Sequence, residues 1–402
     1  MFDPSLQATT ARWDRLQAAA VLGLAVLGAL FVYSATMGTE TSATIPLLQQ
    51  SWLRQVLWYG VGLGLAVAVC LPPYHTLARW SLVAYWALVL LLAAVLVPGI
   101  GSVRYGARRW VDLGVFQFQP SEFAKLGVVL ALAHFLSRPA EELKRAGTLA
   151  RAVGMVLLPF TLILKEPDLG SAVLLIPTGL VMLYVAGAPR RFLAMLLGAV
   201  GLAGALLLAD VLLAPPGWQL PLEEYQRHRL LTFFGRDFAP PNATPEQRAQ
   251  AKRLQEARSY QVRQALISVG SGGLLGKGWR RGTQIALGFL PRGAAHNDFI
   301  FSVIAEEKGF VGSVTVLTLY AAILFSGLRI ASQARDRLGK LLAVGVVTLL
   351  FSQVFINIGM NIRLMPVTGV PLPLLSYGGS SVVGSLIAMG LMQNVYIHRK
   401  GY

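Results

Sequence analysis

The sequence predicts an all-α, polytopic membrane protein with ten transmembrane helices, and three observations lead to this prediction. Apolar residues make up 55% of the 402 residues and charged residues 13%, about half the charged share of a soluble globular domain. The apolar residues come in blocks of roughly 18–25, the length that crosses about 30 Å of hydrocarbon. Basic residues lie between these blocks. Because most of the chain lies in such blocks, we expect one membrane domain over residues 1–402.

The ten predicted spans are apolar runs that end at polar, proline or glycine residues. The first seven are expected at about 16–35, 54–71, 80–99, 120–136, 153–164, 170–187 and 192–213. Span eight is expected at 309–328, with an extension back to Asp298, and span nine at 341–360. Span ten follows a segment at 365–381 that is rich in proline and glycine. The single cysteine, Cys70, lies inside span two, which excludes a disulfide framework.

The long polar region at 214–297 separates spans seven and eight. Within it, Thr244 to Gln247 has the pattern of a helix start: a threonine cap, a proline at the first helical position and a glutamine that returns the capping bond. We expect this charged helix to run to about Ser268.

The positions of arginine and lysine predict the orientation, because these residues are enriched in short cytoplasmic loops. They place both termini in the cytoplasm and the loop 214–297 outside. The cytoplasmic clusters are Arg12 and Arg15; Arg79; Arg138, Lys144 and Arg145; Arg190 and Arg191; Arg329, Arg335, Arg337 and Lys340; and Arg399 and Lys400. Arg104, Arg108 and Arg109 are an exception on the outer side, which suggests that they have a function.

The net charge of +16 does not indicate nucleic-acid binding, because the basic residues do not collect on one soluble face. Basic residues beside a bilayer orient the protein and attract acidic headgroups. Membrane lipids and a lipid-linked diphosphate are the partners that this charge favours. The sequence also contains no Walker loop and no nucleotide-binding glycine fingerprint, so an activated substrate or a gradient has to drive any reaction outside.

Asp298 is the first candidate for chemistry. A glycine-rich segment at 270–278 precedes it and allows the backbone to approach a large neighbour closely. The carboxylate is expected where water meets lipid, a position at which it can accept a proton from a substrate hydroxyl. The alternative is that Asn297 or Asp298 only caps a helix that begins at Phe299. The two interpretations are compatible.

Glu122 and Lys125 are the second candidate, since their spacing of three places them on one face of a helix. They form an internal salt bridge or line a polar substrate cavity. Lys165 and Asp168 flank a proline that breaks a helix. Either these charges are solvated at a turn, or Lys165 meets an anionic headgroup. Arg108, Arg109 and Trp110 form an interfacial aromatic and basic anchor or a diphosphate-binding element.

Several motifs, spread over nearly the whole chain, resemble one known family. They are GARRW at 106–110, QPSEFAK at 119–125, PDLG at 167–170, WRRGTQ at 279–284, FLP at 289–291, DFIF at 298–301, AEE at 305–307 and PVTGVPLPLLSYGGSS at 366–381. In these motifs the chain is similar to the SEDS proteins of bacteria, which act in shape, elongation, division and sporulation. The forms at 282–284 and 366–370 resemble the elongation branch more than the division branch.

The resemblance implies a peptidoglycan glycosyltransferase of the bacterial inner membrane. Such an enzyme polymerises lipid II on the outer face for cell elongation and rod shape. Its expected partners are a class B penicillin-binding protein, which is a single-pass transpeptidase, and other elongation-complex proteins. The growing glycan on undecaprenyl diphosphate is the expected donor, and the 4-hydroxyl of an incoming lipid II is the acceptor.

The resemblance also implies roles for individual residues. Asp298 matches the family's essential aspartate and is the expected general base. We expect Arg109, Lys125 and Lys165 to stabilise the diphosphate, together with a divalent cation, Mg²⁺ or Mn²⁺, on the diphosphate itself. No metal site built from protein residues alone is evident. The remaining expected substrate contacts are Trp110, Asp168 and Glu122, which positions Lys125 or a sugar.

Two departures from the family pattern stand out. The segment 291–298 is about two residues longer than usual and lacks a glutamate, and the loop before Tyr260 is also longer. Two other functions remain as alternatives: a lipid II flippase and a non-catalytic scaffold of the elongation complex. The charges gather near the outer boundary rather than at successive depths across the bilayer, which favours the enzyme.

Overall fold

The computed structural model describes residues 13–36, 46–104, 107–112, 114, 117–139, 141–214, 224–239, 244–290 and 292–400. These residues form a mostly helical bundle with one small sheet. The helices are α1 Arg15–Thr36, α2 Ser51–Cys70, α3 Tyr74–Arg79, α4 Ser81–Val95, α5 Pro120–Leu136, α6 Ala146–Lys165, α7 Leu169–Ala186, α8 Arg190–Leu213, α9 Glu224–Phe234, α10 Pro245–Ser271, α11 Thr283–Ala286, α12 Arg292–Ala295, α13 Ile300–Gln333, α14 Arg337–Asn361 and α15 Gly379–Ile397.

Eight of the described helices are long and apolar enough to cross a membrane: α1, α2, α6, α7, α8, α13, α14 and α15. They lie where eight of the spans were predicted, and α13 begins at Ile300, as the predicted extension towards Asp298 requires. Two shorter helices, α4 with 15 residues and α5 with 17, lie where spans three and four were predicted. The structure therefore confirms a multi-pass helical protein.

The centre of the bundle is formed by α5, α14 and α15, which are buried on nearly all sides. Their sequences are mostly apolar on every face, the pattern expected of a helix enclosed by other helices, with a few buried polar side chains. Around this centre, α15 packs on α2, α14 packs on α7 and α13, and α1 packs on α13. By contrast, α8 packs mainly on α7 and buries only Asp210 and Val211.

The all-α prediction is wrong for the segment between α4 and α5. Three antiparallel strands form a sheet there: β1 Gly101–Arg104, β2 Ala107–Asp112 and β3 Gln117–Phe118. Ser102 pairs with Trp110, and Val111 pairs with Phe118. The connection has to satisfy its backbone N–H and C=O groups, and strand pairing does this here. Ser380 joins the sheet to α15, since its Oγ donates to the Gln117 carbonyl at 3.3 Å.

The long region before α13 contains the predicted capped helix and a second helix that was not predicted. The Thr244 Oγ1 accepts from the Gln247 backbone at 3.3 Å, and the Gln247 side chain accepts from the Thr244 backbone at 3.0 Å, so the predicted capping box is confirmed. The helix ends at Ser271, three residues later than expected. The second helix is α9, which an ion pair of 2.8 Å between Arg227 and Asp210 joins to α8.

The large neighbour of the glycine-rich segment is α13. A Cβ atom at Gly272 would lie 1.9 Å from the Ala305 carbonyl oxygen, and one at Gly276 would lie 2.2 Å from that of Glu307. The helix breaks at Gly309, where φ is 62°. The break frees carbonyls that need new donors, and the Lys277 backbone N–H donates to the Glu306 carbonyl at 3.0 Å. These glycines therefore support the start of α13.

Candidate active site

Asp298 lies two residues before α13, half-buried at the end of the bundle. The N-cap of α13 is Phe299, and no side chain caps this helix end. The alternative that Asn297 or Asp298 caps the helix is therefore wrong. Instead, the Asp298 backbone carbonyl accepts hydrogen bonds of 3.1 Å from both Asn357 Nδ2 and Asn361 Nδ2. The side-chain carboxylate is thus not occupied by capping α13.

The two asparagines tie Asp298 to the rest of the site. Asn357 also donates to the Val370 carbonyl at 2.8 Å, and Ser302 Oγ donates to Asn361 Oδ1 at 2.6 Å. Both asparagines are fully buried, with 0% exposure, where an unpaired amide would be costly. This network fixes the backbone of Asp298 relative to α14 and to the segment that follows it.

Charged groups around Asp298 set its proton affinity. Asp298 Oδ2 and Arg229 Nη2 lie 3.7 and 3.9 Å from the point that a Cβ atom of Gly369 would occupy, so both side chains flank this glycine. Desolvation raises the pKa of Asp298 to about 6, Arg229 and Arg109 oppose this rise, and Asp168 reinforces it. At neutral pH the group is therefore ionised, yet it is a stronger base than an ordinary aspartate.

Arg109 and Asp168 come together at the turn between α6 and α7. Arg109 Nε donates to the Glu166 carbonyl at 3.2 Å, its Nη2 donates to the Pro167 carbonyl, and its Nη1 lies 3.8 Å from Asp168 Oδ1. Asp168 caps α7 by accepting from the Ser171 backbone at 3.2 Å. Most donors of the Arg109 guanidinium thus hold this turn, and its positive charge acts on Asp298 from a distance.

Glu166 is a buried acid that sequence reasoning did not single out. Its side chain is 0% exposed, and neither carboxyl oxygen has a hydrogen-bond partner. Desolvation raises its pKa to about 9, Asp168 adds to the rise and Arg109 opposes it. The carboxyl is therefore neutral at pH 7. Its adjacency to the predicted Lys165 and Asp168 was the one available signal.

Glu122 and Lys125 form a closed ion pair of 2.7 Å inside the bundle, with side chains that are 4% and 1% exposed. The cavity beside them has a volume of about 20 Å³, room for roughly one water molecule. Lys165 is exposed and makes no hydrogen bond or ion pair with the described residues. Trp110 is partly exposed on β2. Substrate contact by these four residues stays a prediction.

A larger groove meets the Asp298 site at Arg229. It has a volume of about 700 Å³ and lies between α9, α10 and the segment at 363–367. Arg229 lines it and also donates from Nη1 to the Thr368 carbonyl at 3.0 Å, so this arginine joins the groove to the Asp298 site. Sequence reasoning missed Arg229, Asn357 and Asn361. Arg229 belongs to a long polar region in which no periodic pattern distinguishes one arginine from another.

Comparison with known proteins shows the family to which the chain belongs. The family model described as "Cell cycle protein", for FtsW, RodA and SpoVE, matches residues 14–401. The peptidoglycan glycosyltransferase MrdB of Escherichia coli (strain K12) is 35% identical over 390 residues, which are 96% of this chain and 96% of MrdB.

Solved structures agree. One from work on "Structural coordination of polymerization and crosslinking by a peptidoglycan synthase complex" is 31% identical, covers 97% of this chain and 99% of its own, and has a TM-score of 0.73. The crystal structure of the rod shape determining protein RodA of Thermus thermophilus is 30% identical, covers 99% of this chain and 100% of its own, and has a TM-score of 0.65. The chain therefore belongs to the SEDS family of FtsW, RodA and SpoVE.

Proposed function

We propose that this protein is a peptidoglycan glycosyltransferase that polymerises lipid II into glycan strands on the outer face of the bacterial inner membrane. The observation that carries the proposal is the Asp298 carboxylate, with a pKa of about 6, close to Arg229, which lines the 700 Å³ groove. A base and a cation that flank the same glycine supply two groups that glycosyl transfer from a diphosphate needs. The identity of 35% to MrdB over almost the whole chain supports the same activity.

In the proposed reaction, the 4-hydroxyl oxygen of lipid II attacks the anomeric carbon of the growing glycan. Asp298 takes the hydroxyl proton as the new O–C bond forms. The bond between the anomeric carbon and the diphosphate oxygen breaks, and undecaprenyl diphosphate leaves with the electron pair. Positive charge near the leaving diphosphate stabilises the charge that develops on it. The proposed contributors include Arg109, Lys125 and Lys165, although Lys125 is enclosed in its ion pair.

A flippase is less well supported, because a polar headgroup has to cross the bilayer through a polar path. The buried pair of Glu122 and Lys125 has a cavity of only about 20 Å³ beside it, far too small for a disaccharide.

The described residues contain no group of three His, Cys, Asp or Glu side chains that could hold a metal ion. A divalent cation in this reaction would be held by the substrate diphosphate. Polymerisation measured at increasing EDTA concentration tests whether the reaction needs such a cation.

We further propose that α4 and α5 complete ten spans, with both termini in the cytoplasm and the region 214–297 outside. The one-sided clusters of arginine and lysine support this orientation. In intact cells, an impermeant maleimide is expected to label Ala249→Cys on α10, and to label Ser332→Cys at the end of α13 only after permeabilisation. Both positions are exposed. Labelling of Ser332→Cys alone in intact cells would reverse the orientation.

We propose a class B penicillin-binding protein as the partner of this chain, together with other proteins of an elongation complex. The similarity to a chain from a peptidoglycan synthase complex supports this. Purified protein in liposomes with lipid II is expected to make glycan strands, and the cognate transpeptidase is expected to increase the rate. Gel analysis of the strands measures this. Transbilayer movement of lipid II without any polymer would favour the flippase, and neither activity would favour the scaffold.

A further inference from the structure

The 700 Å³ groove has two kinds of wall. Apolar side chains of α9, α10 and the 363–367 segment form one part, among them Phe233, Leu266 and Met365. Three arginines form the other: Arg229 on α9, Arg263 on α10 and Arg363 just after α14. Among the described residues, no acidic side chain lines this groove. A mixed apolar and cationic groove suits a lipid-linked anion better than a neutral sugar alone.

Arginine side chains are suited to bind phosphate oxygens. Guanidinium groups bind phosphate through paired, charge-assisted hydrogen bonds, which are roughly twice as strong as hydrogen bonds between neutral groups. Arg263 and Arg363 are exposed, and neither takes part in an ion pair within the described part of the chain. Arg363 also has a φ of 59°, a left-handed conformation that favours glycine. This conformation ends α14, where the Leu364 backbone N–H donates to the Gly359 carbonyl at 2.7 Å.

We propose that this groove binds the diphosphate of the donor, the growing lipid-linked glycan, through Arg229, Arg263 and Arg363. The assignment rests on the proposed glycosyltransferase function and adds a location for one of its two substrates. It replaces Arg109, whose donors hold the turn between α6 and α7, as the main ligand of the leaving group.

The chemistry decides between the donor and the acceptor. On the donor, the diphosphate is attached to the carbon that the 4-hydroxyl attacks, so it lies next to the proton that Asp298 accepts. On the acceptor, a whole disaccharide separates the diphosphate from that hydroxyl. Arg229 and Asp298 flank the same glycine, Gly369, so a diphosphate on Arg229 lies close to the reacting bond. That arrangement matches the donor.

Binding of undecaprenyl diphosphate, the leaving group, tests the site without requiring activity. The full chain in nanodiscs of neutral lipid is titrated with undecaprenyl diphosphate and, separately, with undecaprenyl monophosphate. Arg263→Ala and Arg363→Ala are each expected to weaken diphosphate binding about tenfold, the value of one charge-assisted contact. Arg253→Ala removes an exposed arginine of α10 that does not line the groove, and is expected to bind like the wild type.

Other outcomes would overturn the assignment. Equal affinity for the monophosphate and the diphosphate would show general attraction to lipid phosphate. Loss of all diphosphate binding when the nanodisc lipid is phosphatidylglycerol would show that the arginines bind membrane headgroups. Asp298→Asn is expected to bind undecaprenyl diphosphate normally. If the wild type binds through the arginines and never makes polymer, the proposed function fails and the diphosphate site stands. If the wild type makes polymer and the arginine variants bind undecaprenyl diphosphate normally, the diphosphate site fails and the proposed function stands.

Two modified substrates separate the donor from the acceptor. Lipid II with a methylated 4-hydroxyl acts only as donor, and lipid II with a phosphonate carbon in place of the anomeric oxygen acts only as acceptor. A mixture of the two forms only one glycosidic bond, between one donor and one acceptor. Arg263→Ala and Arg363→Ala are expected to raise KM for the donor about tenfold and to leave KM for the acceptor unchanged. A rise in KM for the acceptor alone would assign the groove to the other substrate.

Discussion

Asp298→Asn is expected to lower the rate of glycan polymerisation by about 10²–10⁴-fold, the usual loss when a general base is removed. Asparagine keeps the size of the side chain and leaves the backbone carbonyl free to accept from Asn357 and Asn361, as it does in the wild type. It removes the charge and the basicity. Strand formation by the purified protein in liposomes measures the effect, with Asn297→Ala as a neighbouring control that does not remove a carboxylate.

The fold of the Asp298→Asn variant is expected to survive. Desolvation raises the pKa of this carboxyl to about 6 from 3.8, so the folded state binds the proton more tightly than the unfolded chain does. The group therefore destabilises the folded protein increasingly as the pH rises from about 4 through about 6, and remains unfavourable at pH 7. Asparagine lacks this penalty, and the melting temperature at pH 7 is expected to equal or exceed that of the wild type.

The pH profile of the wild type provides a second readout of the same residue. Below pH 6 the carboxyl is protonated, and polymerisation is expected to fall about tenfold per pH unit, since only the ionised form accepts a proton. A flat profile between pH 5 and pH 7 would contradict the role of Asp298 as base. Long glycan strands made by Asp298→Asn at the native rate would contradict it outright.

Lys125→Met is expected to cost about 3–5 kcal/mol of unfolding free energy, because it leaves the charge of Glu122 buried without its partner. The two side chains are 1% and 4% exposed and lie 2.7 Å apart, and the cavity beside them has room for only about one water molecule, so Glu122 loses its counter-charge without full solvation. Thermal unfolding of the purified protein, followed by the loss of monodisperse material, measures this cost. Lys144→Met is the control, since its ion pair with Glu141 is exposed, with side chains that are 64% and 81% accessible.

The double variant Glu122→Gln/Lys125→Met distinguishes the two roles of this pair. It removes both charges at nearly constant volume and is expected to regain most of the lost stability. If the pair serves only the fold, as the cavity of about 20 Å³ beside it favours, polymerisation returns as well. A double variant that is as stable as the wild type and makes no glycan would instead show that Glu122 or Lys125 contacts the substrate.

The sequence alone determined the features that depend on neighbours along the chain. Apolar blocks located the long helices, because an α-helix satisfies its own backbone and the bilayer fixes its length. The capping box at Thr244 located the start of α10, since all its hydrogen bonds lie within four residues. The resemblance in motif and the position before a long apolar run identified Asp298 as a candidate.

The tertiary structure decided everything that depends on contacts between distant segments. Arg229 reaches the Thr368 carbonyl across 139 positions of the sequence, and Asn357 reaches that of Asp298 across 59. Local sequence patterns do not show contacts between residues so far apart along the chain. The same holds for Arg109, which donates its hydrogen bonds to the turn between α6 and α7. It also holds for Glu166, whose carboxyl is kept neutral by burial. Residue type sets what a side chain can do, and only its partners and its desolvation in the fold decide which of these it does.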